Sequence, residues 1–126
     1  LRTARSDLES RAQGSKVNFD STLLVGGSIG GGRPHLFLVY PAGNCIECWP
    51  DTPYLQIGEN KYGKPIIDRA LTYDTDLYEA LKIGLISFSS TMRSNLAVGL
   101  PLDVLVLRSG QTVPELIYRI EADDAY

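Results

Sequence analysis

No run of apolar residues approaches the roughly 20 needed to cross a bilayer as a helix, so no spanning helix is expected. Histidine and cysteine are scarce: His35, Cys45 and Cys48 are all there is in 126 residues. Structural zinc wants more thiolate and imidazole ligands than these supply, and neither a metal nor any other cofactor is expected. Basic residues are few and scattered. The 12 Lys and Arg include Arg2, Arg5, Arg11, Lys16, Arg33, Lys61, Lys64 and Arg69, with no cluster, and the net charge is -3. Phosphate backbones call for a concentrated basic face, so no nucleic-acid partner is expected. Leu1-Arg2-Thr3-Ala4-Arg5 runs into polar sequence rather than the apolar stretch of a secretory leader, and the cytoplasm is the expected location. An initiating Met is missing too. The opening reads like the middle of a helix, and the expectation is that an upstream part of a longer polypeptide precedes it.

What is present is ordinary for a globular domain. Hydrophobic residues make up 44% and charged residues 21%, which argues against disorder. The length fits one domain. The acidic Glu121-Ala122-Asp123-Asp124 reads as a solvated end.

Periodicity then predicts the elements. Residues 1–14 read as a short polar helix ended by Gly14, and 1–16 as an upstream helix end with its linker. Residues 19–29 read as a strand, followed by a Gly30-Gly31-Gly32-Arg33-Pro34 turn. His35 to Tyr40 is nearly all apolar, the mark of a strand covered on both faces. Gly43-Asn44 suits a tight turn, and Cys45 to Trp49 completes a three-stranded antiparallel meander. Asp51-Thr52-Pro53 breaks the pattern, and Tyr54 to Ile57 is extended up to Gly58. Two helices follow. The first spans about 59–71. The second starts at Thr75-Asp76 with Glu79 as a possible capping box, and carries Leu77, Ala80, Leu81, Gly84, Leu85, Phe88 and Met92 as its apolar stripe. Gly84 weakens that helix by about 1 kcal/mol relative to Ala, so close packing against a neighbour is expected there. Leu102 to Leu107 and Val113 to Ile120 read as two final strands. The class is α+β, a helical layer on antiparallel sheet.

The chemical motifs resolve into structural readings. Cys45 and Cys48 form a Cys-x-x-Cys, but on a strand residues three apart point to opposite faces. They read as reduced cysteines of a core strand. The glycines at 26, 27 and 30–32 lack the Gly-Lys-Ser/Thr of a phosphate loop. They read instead as a closely approached strand and a hairpin tip. His35 has no nucleophile elbow near it and reads as a surface or capping residue. Asp68, Asp103 and Glu59 are isolated acids.

Three segments say more: Phe19-Asp20-Ser21-Thr22-Leu23-Leu24-Val25-Gly26-Gly27, the stretch from Pro50 through Tyr62-Gly63-Lys64-Pro65 to Arg69, and the stretch from Ser87 through Met92-Arg93-Ser94-Asn95 to Asp103. From about residue 17 to the end the chain resembles the C-terminal half of the bacterial proteasome-type peptidases of the Anbu, or ancestral β subunit, family. The resemblance implies an N-terminal nucleophile hydrolase fold, a four-layer αββα sandwich. Residues 17–126 would supply the meander, the two helices and the last two strands. It implies a threonine-type peptidase hydrolysing peptide amide bonds, in which an N-terminal Thr hydroxyl attacks and its own α-amine acts as base. That Thr belongs to the other half. Thr3 and Thr22 sit on the wrong elements, so no catalytic residue is assigned and this chain alone is not expected to be active. The resemblance also implies partners: the missing N-terminal half, further copies in a homo-oligomer, and a peptide substrate. In proteasome subunits a Gly-Ser-Gly turn before the first of these helices supports the nucleophile region; here it is Gly58-Glu59-Asn60. An Asp and a Ser three apart follow the second helix; here Ser94 and Ala97 fall near them, with Asn95 adjacent. Gly58, Glu59, Ser94 and Asn95 are therefore the candidate supporting residues. Capping of a helix by Glu59 at its start, or by Ser94 and Asn95 at its end, stays open. So do two other functions: a non-catalytic assembly subunit of a proteasome-like oligomer, and an N-terminal nucleophile amidase for a small molecule.

Overall fold

The computed structural model describes residues 20–124. The helix expected over 1–14 and the boundary expected at residue 16 lie outside the described residues. Within them the element order is three strands, two helices and two strands, as periodicity predicts.

β1 (Leu23–Gly27) pairs with β2 (His35–Val39), and β2 with β3 (Cys45–Glu47), all antiparallel. β1 is shorter than expected because the chain turns at once: Gly30 and Gly31 have φ of 59° and 74°, values only glycine adopts freely, and Gly32 N donates to Ile29 O. The next turn closes with Gly43 N donating to Tyr40 O and Tyr40 N to Asn44 O. β3 stops short of Trp49 because Trp49 and Thr52 bond each other through their backbones. β2 is not covered on both faces: only Leu38 is buried, while β1 is exposed throughout. Its apolar run fits a sheet flanked on two sides, and the described residues cover it only in part.

Helix α1 (Lys64–Ala70) is half the expected length. Pro65 explains its start, since proline's locked φ and missing N–H suit only a first helical turn. Helix α2 (Leu77–Ser94) starts as the cap residues predict, with Asp76 Oδ1 accepting from Tyr78 N at 3.0 Å and from Glu79 N at 3.4 Å. The Glu79 side chain pairs forward with Lys82, so the expected reciprocal box is replaced by a single cap plus an ion pair three residues apart.

α2 uses two faces. Leu85 and Met92 of its apolar stripe stand across a small gap from Leu100 and Leu102, on the side of the second sheet, β4 (Leu102–Val106) with β5 (Leu116–Ile120). A different face meets α1. There Ser87 and Thr91 are 4% and 3% exposed, and a Cβ on Gly63 would overlap Ser87 Oγ and lie 3.2 Å from Thr91 Oγ1. The close approach expected at Gly84 is thus made at Gly63 instead. A Cβ on Gly84 would meet nothing within 4 Å.

In the second sheet Leu102 opposes Ile120 and Val106 opposes Leu116 on one face; Val106 and Ile120 are buried. Leu105 opposes Ile117 on the other, and they are 62% and 73% exposed. Beside them Arg119 grips Asp103 with two hydrogen bonds of 2.7 and 2.8 Å. Tyr78 of α2 reaches this hairpin, its hydroxyl donating to Glu115, which also holds Arg108. No strand of the first sheet brings a Cα within 8 Å of the second among the described residues.

Candidate functional site

Two loops that are remote in sequence meet beside the helix pair. Tyr54 to Ile57 runs extended from the first sheet, and at Gly58 the chain turns with φ of 82°, a conformation that excludes most side-chain-bearing residues. The turn aims Glu59 back across the structure. Its Oε1 accepts from Lys61 N at 2.9 Å and its Oε2 from Asn95 Nδ2 at 3.0 Å.

Asn95 is placed for this by the end of α2. Its N–H donates to Thr91 O, closing the helix, and its Oδ1 accepts from Ala97 N at 2.9 Å, an Asx turn. Its amide nitrogen is then left for Glu59. The Lys61 N–H and then the Asn95 amide hold the Glu59 carboxyl below the usual carboxylate range, against a smaller opposing effect of burial. A third strut comes from behind, where Gln56 Nε2 donates to Glu59 O at 3.2 Å.

The structure therefore brings Gly58, Glu59 and Asn95 together. Ser94 ends α2 as an exposed residue and makes no hydrogen bond to the cluster. Glu59 does not cap α1: it bonds Lys61, whereas the helix starts at Lys64 with Gly63 as an N-cap lacking a side-chain bond. Ala97, at the place where the resemblance implies a Ser, contributes only its backbone N–H.

The cluster borders a cavity of about 510 Å³ between β1, the 55–59 segment and both helices. Leu24, Leu55, Ile57 and Phe88 make its wall apolar, and Gln56, Glu59, Ser87 and Thr91 add polar groups. Thr91 Oγ1 is spent on Ser87 O at 2.9 Å. Sequence reasoning missed Gln56, Ser87 and Thr91. The last two sit four apart on one helix face, a spacing that could have marked them, but burial of two hydroxyls is decided by the glycine opposite.

The remaining polar groups do other work. On the opposite side of the 54–57 segment, Lys64 Nζ lies 2.9 Å from both Asp68 oxygens, and the Tyr54 hydroxyl donates to the same carboxylate. This fastens α1 to the extended segment, and it raises the Lys64 pKa and lowers that of Asp68. His35 is exposed and bonds Glu47. Cys45 is exposed rather than in a core. Cys48 Sγ donates to Thr52 O, and burial, then Glu47, push its thiol up, the wrong direction for a reactive thiolate. Among the described residues no three His, Cys, Asp or Glu gather to hold a metal ion, and no helix is long and apolar enough to cross a membrane.

No protein-family model matches the chain, and no curated protein matches it either. Solved structures do. Anbu (ancestral beta-subunit) from Yersinia bercovieri is 55% identical, with a TM-score of 0.81 over 86% of this chain and 48% of that one. The helical assembly of the Anbu complex from Pseudomonas aeruginosa is 49% identical, with a TM-score of 0.82 over 98% of this chain and 53% of that one. Anbu from Hyphomicrobium sp. strain MC1 is 46% identical, with a TM-score of 0.81 over 95% and 50%. The chain spans about half the length of these relatives, and at such identity over nearly all of its own length it belongs to the Anbu, or ancestral β-subunit, family.

Proposed function

We propose that the chain is the C-terminal portion of a proteasome-type threonine peptidase that hydrolyses peptide amide bonds in the cytoplasm, with the nucleophile carried by the other half of a four-layer αββα domain. The observation that carries this is the paired coverage: nearly all of this chain, and about half of each relative. In the N-terminal nucleophile mechanism a Thr hydroxyl attacks the carbonyl while its own amine takes the proton. Among the described residues, His35 is engaged by Glu47, and Cys48 donates to Thr52 O with its thiol pushed up by burial and then by Glu47. The role of the described residues is support. Gly58, Glu59 and Asn95 lock the turn that stands, by family resemblance, behind the nucleophile region. Placement of this kind governs rate, because small displacements of reacting groups are costly.

The test joins the 126 residues to the remaining half and measures peptide-amide cleavage with the N-terminal Thr and with Ala in its place. Loss of cleavage in the Ala form is expected; equal cleavage ends the threonine reading. A second reading, an assembly subunit without catalysis, draws on one relative being described as a helical assembly. Oligomers that form normally and cleave nothing would favour it.

A further inference from the structure

The support role leaves the Tyr54–Lys64–Asp68 cluster without a part to play. Residues 53–57 belong to no strand, and among the described residues their backbone makes no hydrogen bond to other backbone. Side chains fix the segment instead. At one end the Tyr54 hydroxyl donates to Asp68 Oδ1 at 2.5 Å and accepts from Lys64 Nζ at 3.1 Å. At the other, Gln56 Nε2 donates to Glu59 O. Burial and then the Asp68 bond push the Tyr54 hydroxyl up from its ordinary range, so it stays a donor at neutral pH. Lys64 and Asp68 also pair with each other along α1, so the helix itself does not need Tyr54. The link between helix and segment does. Both halves of the Glu59–Asn95 bond hang on that link. Glu59 follows the 54–57 segment by two residues. Asn95 ends α2, and α2 lies against α1 where Ser87 and Thr91 face Gly63. Tyr54 thus closes a circuit, from the segment to α1, from α1 to α2, and through Asn95 back to Glu59.

We propose that Tyr54 is a positioning residue of the peptidase site, acting through the Glu59–Asn95 bond by holding the 54–57 segment in place against α1. This rests on the peptidase reading. An exposed ion pair such as Lys64–Asp68 contributes little by itself, and what the Tyr54 hydroxyl adds is placement. An extended segment with no backbone anchor passes a shift at Tyr54 on to the Gly58 turn. There the shift changes how Glu59 meets Asn95, and with it the support of the nucleophile region. Small displacements of reacting groups are costly in rate even when they cost little in stability.

The experiment compares Tyr54→Phe with wild type in the joined protein. The variant removes only the hydroxyl, and its ring can keep Lys64 Nζ, now 5.4 Å from the centroid. The kcat for peptide-amide cleavage is expected to fall about three- to tenfold with KM unchanged. In an Asn95→Ala background the same change is expected to alter kcat by less than about twofold, because the bond through which it acts is already gone. Hydrogen exchange of the Lys61 N–H, which donates to Glu59, is expected to quicken about fivefold in Tyr54→Phe. A lower Tm with kcat and exchange both unchanged overturns the proposal and leaves Tyr54 a merely structural residue. So does a fall in kcat of undiminished size in the Asn95→Ala background. If the joined wild type cleaves nothing, the peptidase reading falls, and the exchange measurement alone decides whether Tyr54 sets the turn.

Discussion

The helix pair and the two sheets of this chain end in opposite conditions. Around α1 and α2 nearly every polar group is answered from within: Asp76 caps α2, Asn95 closes it, Glu59 bridges to Asn95, and Thr91 bonds Ser87 O. In the sheets the apolar faces lie open, with Leu23, Val25, Leu105 and Ile117 all at least half exposed. Hydrogen bonds are short-ranged and can be completed by a few residues, whereas an apolar face is satisfied only by another layer of comparable area. The helical region is thus largely complete in its hydrogen bonds, though Ile86 and Phe88 stay 56% and 48% exposed, while the sheets leave whole apolar faces open.

That contrast can be broken by mutation. The largest effect is expected from Gly63→Ala, whose new Cβ would overlap Ser87 Oγ and crowd Ser87 O at 3.3 Å. A loss of about 2 kcal/mol in denaturant unfolding is expected, and a neutral result would show that the helices separate freely. Next comes Asn95→Ala, which removes the Glu59 bond and the Asx turn together; about 1–2 kcal/mol is expected by the same measurement.

A smaller, pH-dependent effect is expected at Glu59. Its folded-state pKa is lowered from 4.5, so its contribution is fully present above that value and fades as pH falls through the lower folded-state value. Glu59→Gln should flatten that part of the acid-unfolding profile, read by circular dichroism between pH 5 and about 2. An unchanged profile would mean the carboxylate is not engaged in solution. The smallest effect is expected from Leu105→Ser in the 126-residue chain, within about 0.5 kcal/mol because the side chain is already exposed. In the joined protein the same change should cost several times more if the other half covers that face.

The elements themselves were legible. The Asp76 cap, the Gly43-Asn44 turn and the five strands follow from local preferences and alternation, and these act over a few residues. Their limits were less so: α1 starts late because of Pro65, and β3 ends early because Trp49 prefers Thr52. The burial of β2 was misjudged because a continuous apolar run reports the layers a strand suits, and among the described residues only Leu38 of it is buried. Glu59 and Asn95 were singled out through family resemblance, but the bond between them across 36 positions was not legible.

By itself the sequence determined the class, the order of elements and the family, because periodicity, caps and long matching segments are written along one dimension. Only the tertiary structure decided that Gly63 rather than Gly84 is the point of helix contact, that Glu59 reaches Asn95 instead of capping α1, and that Gln56 and Ser87 share one cavity. These depend on the angle and distance between elements. Those quantities are set by the packing of many side chains at once, and no single residue encodes them.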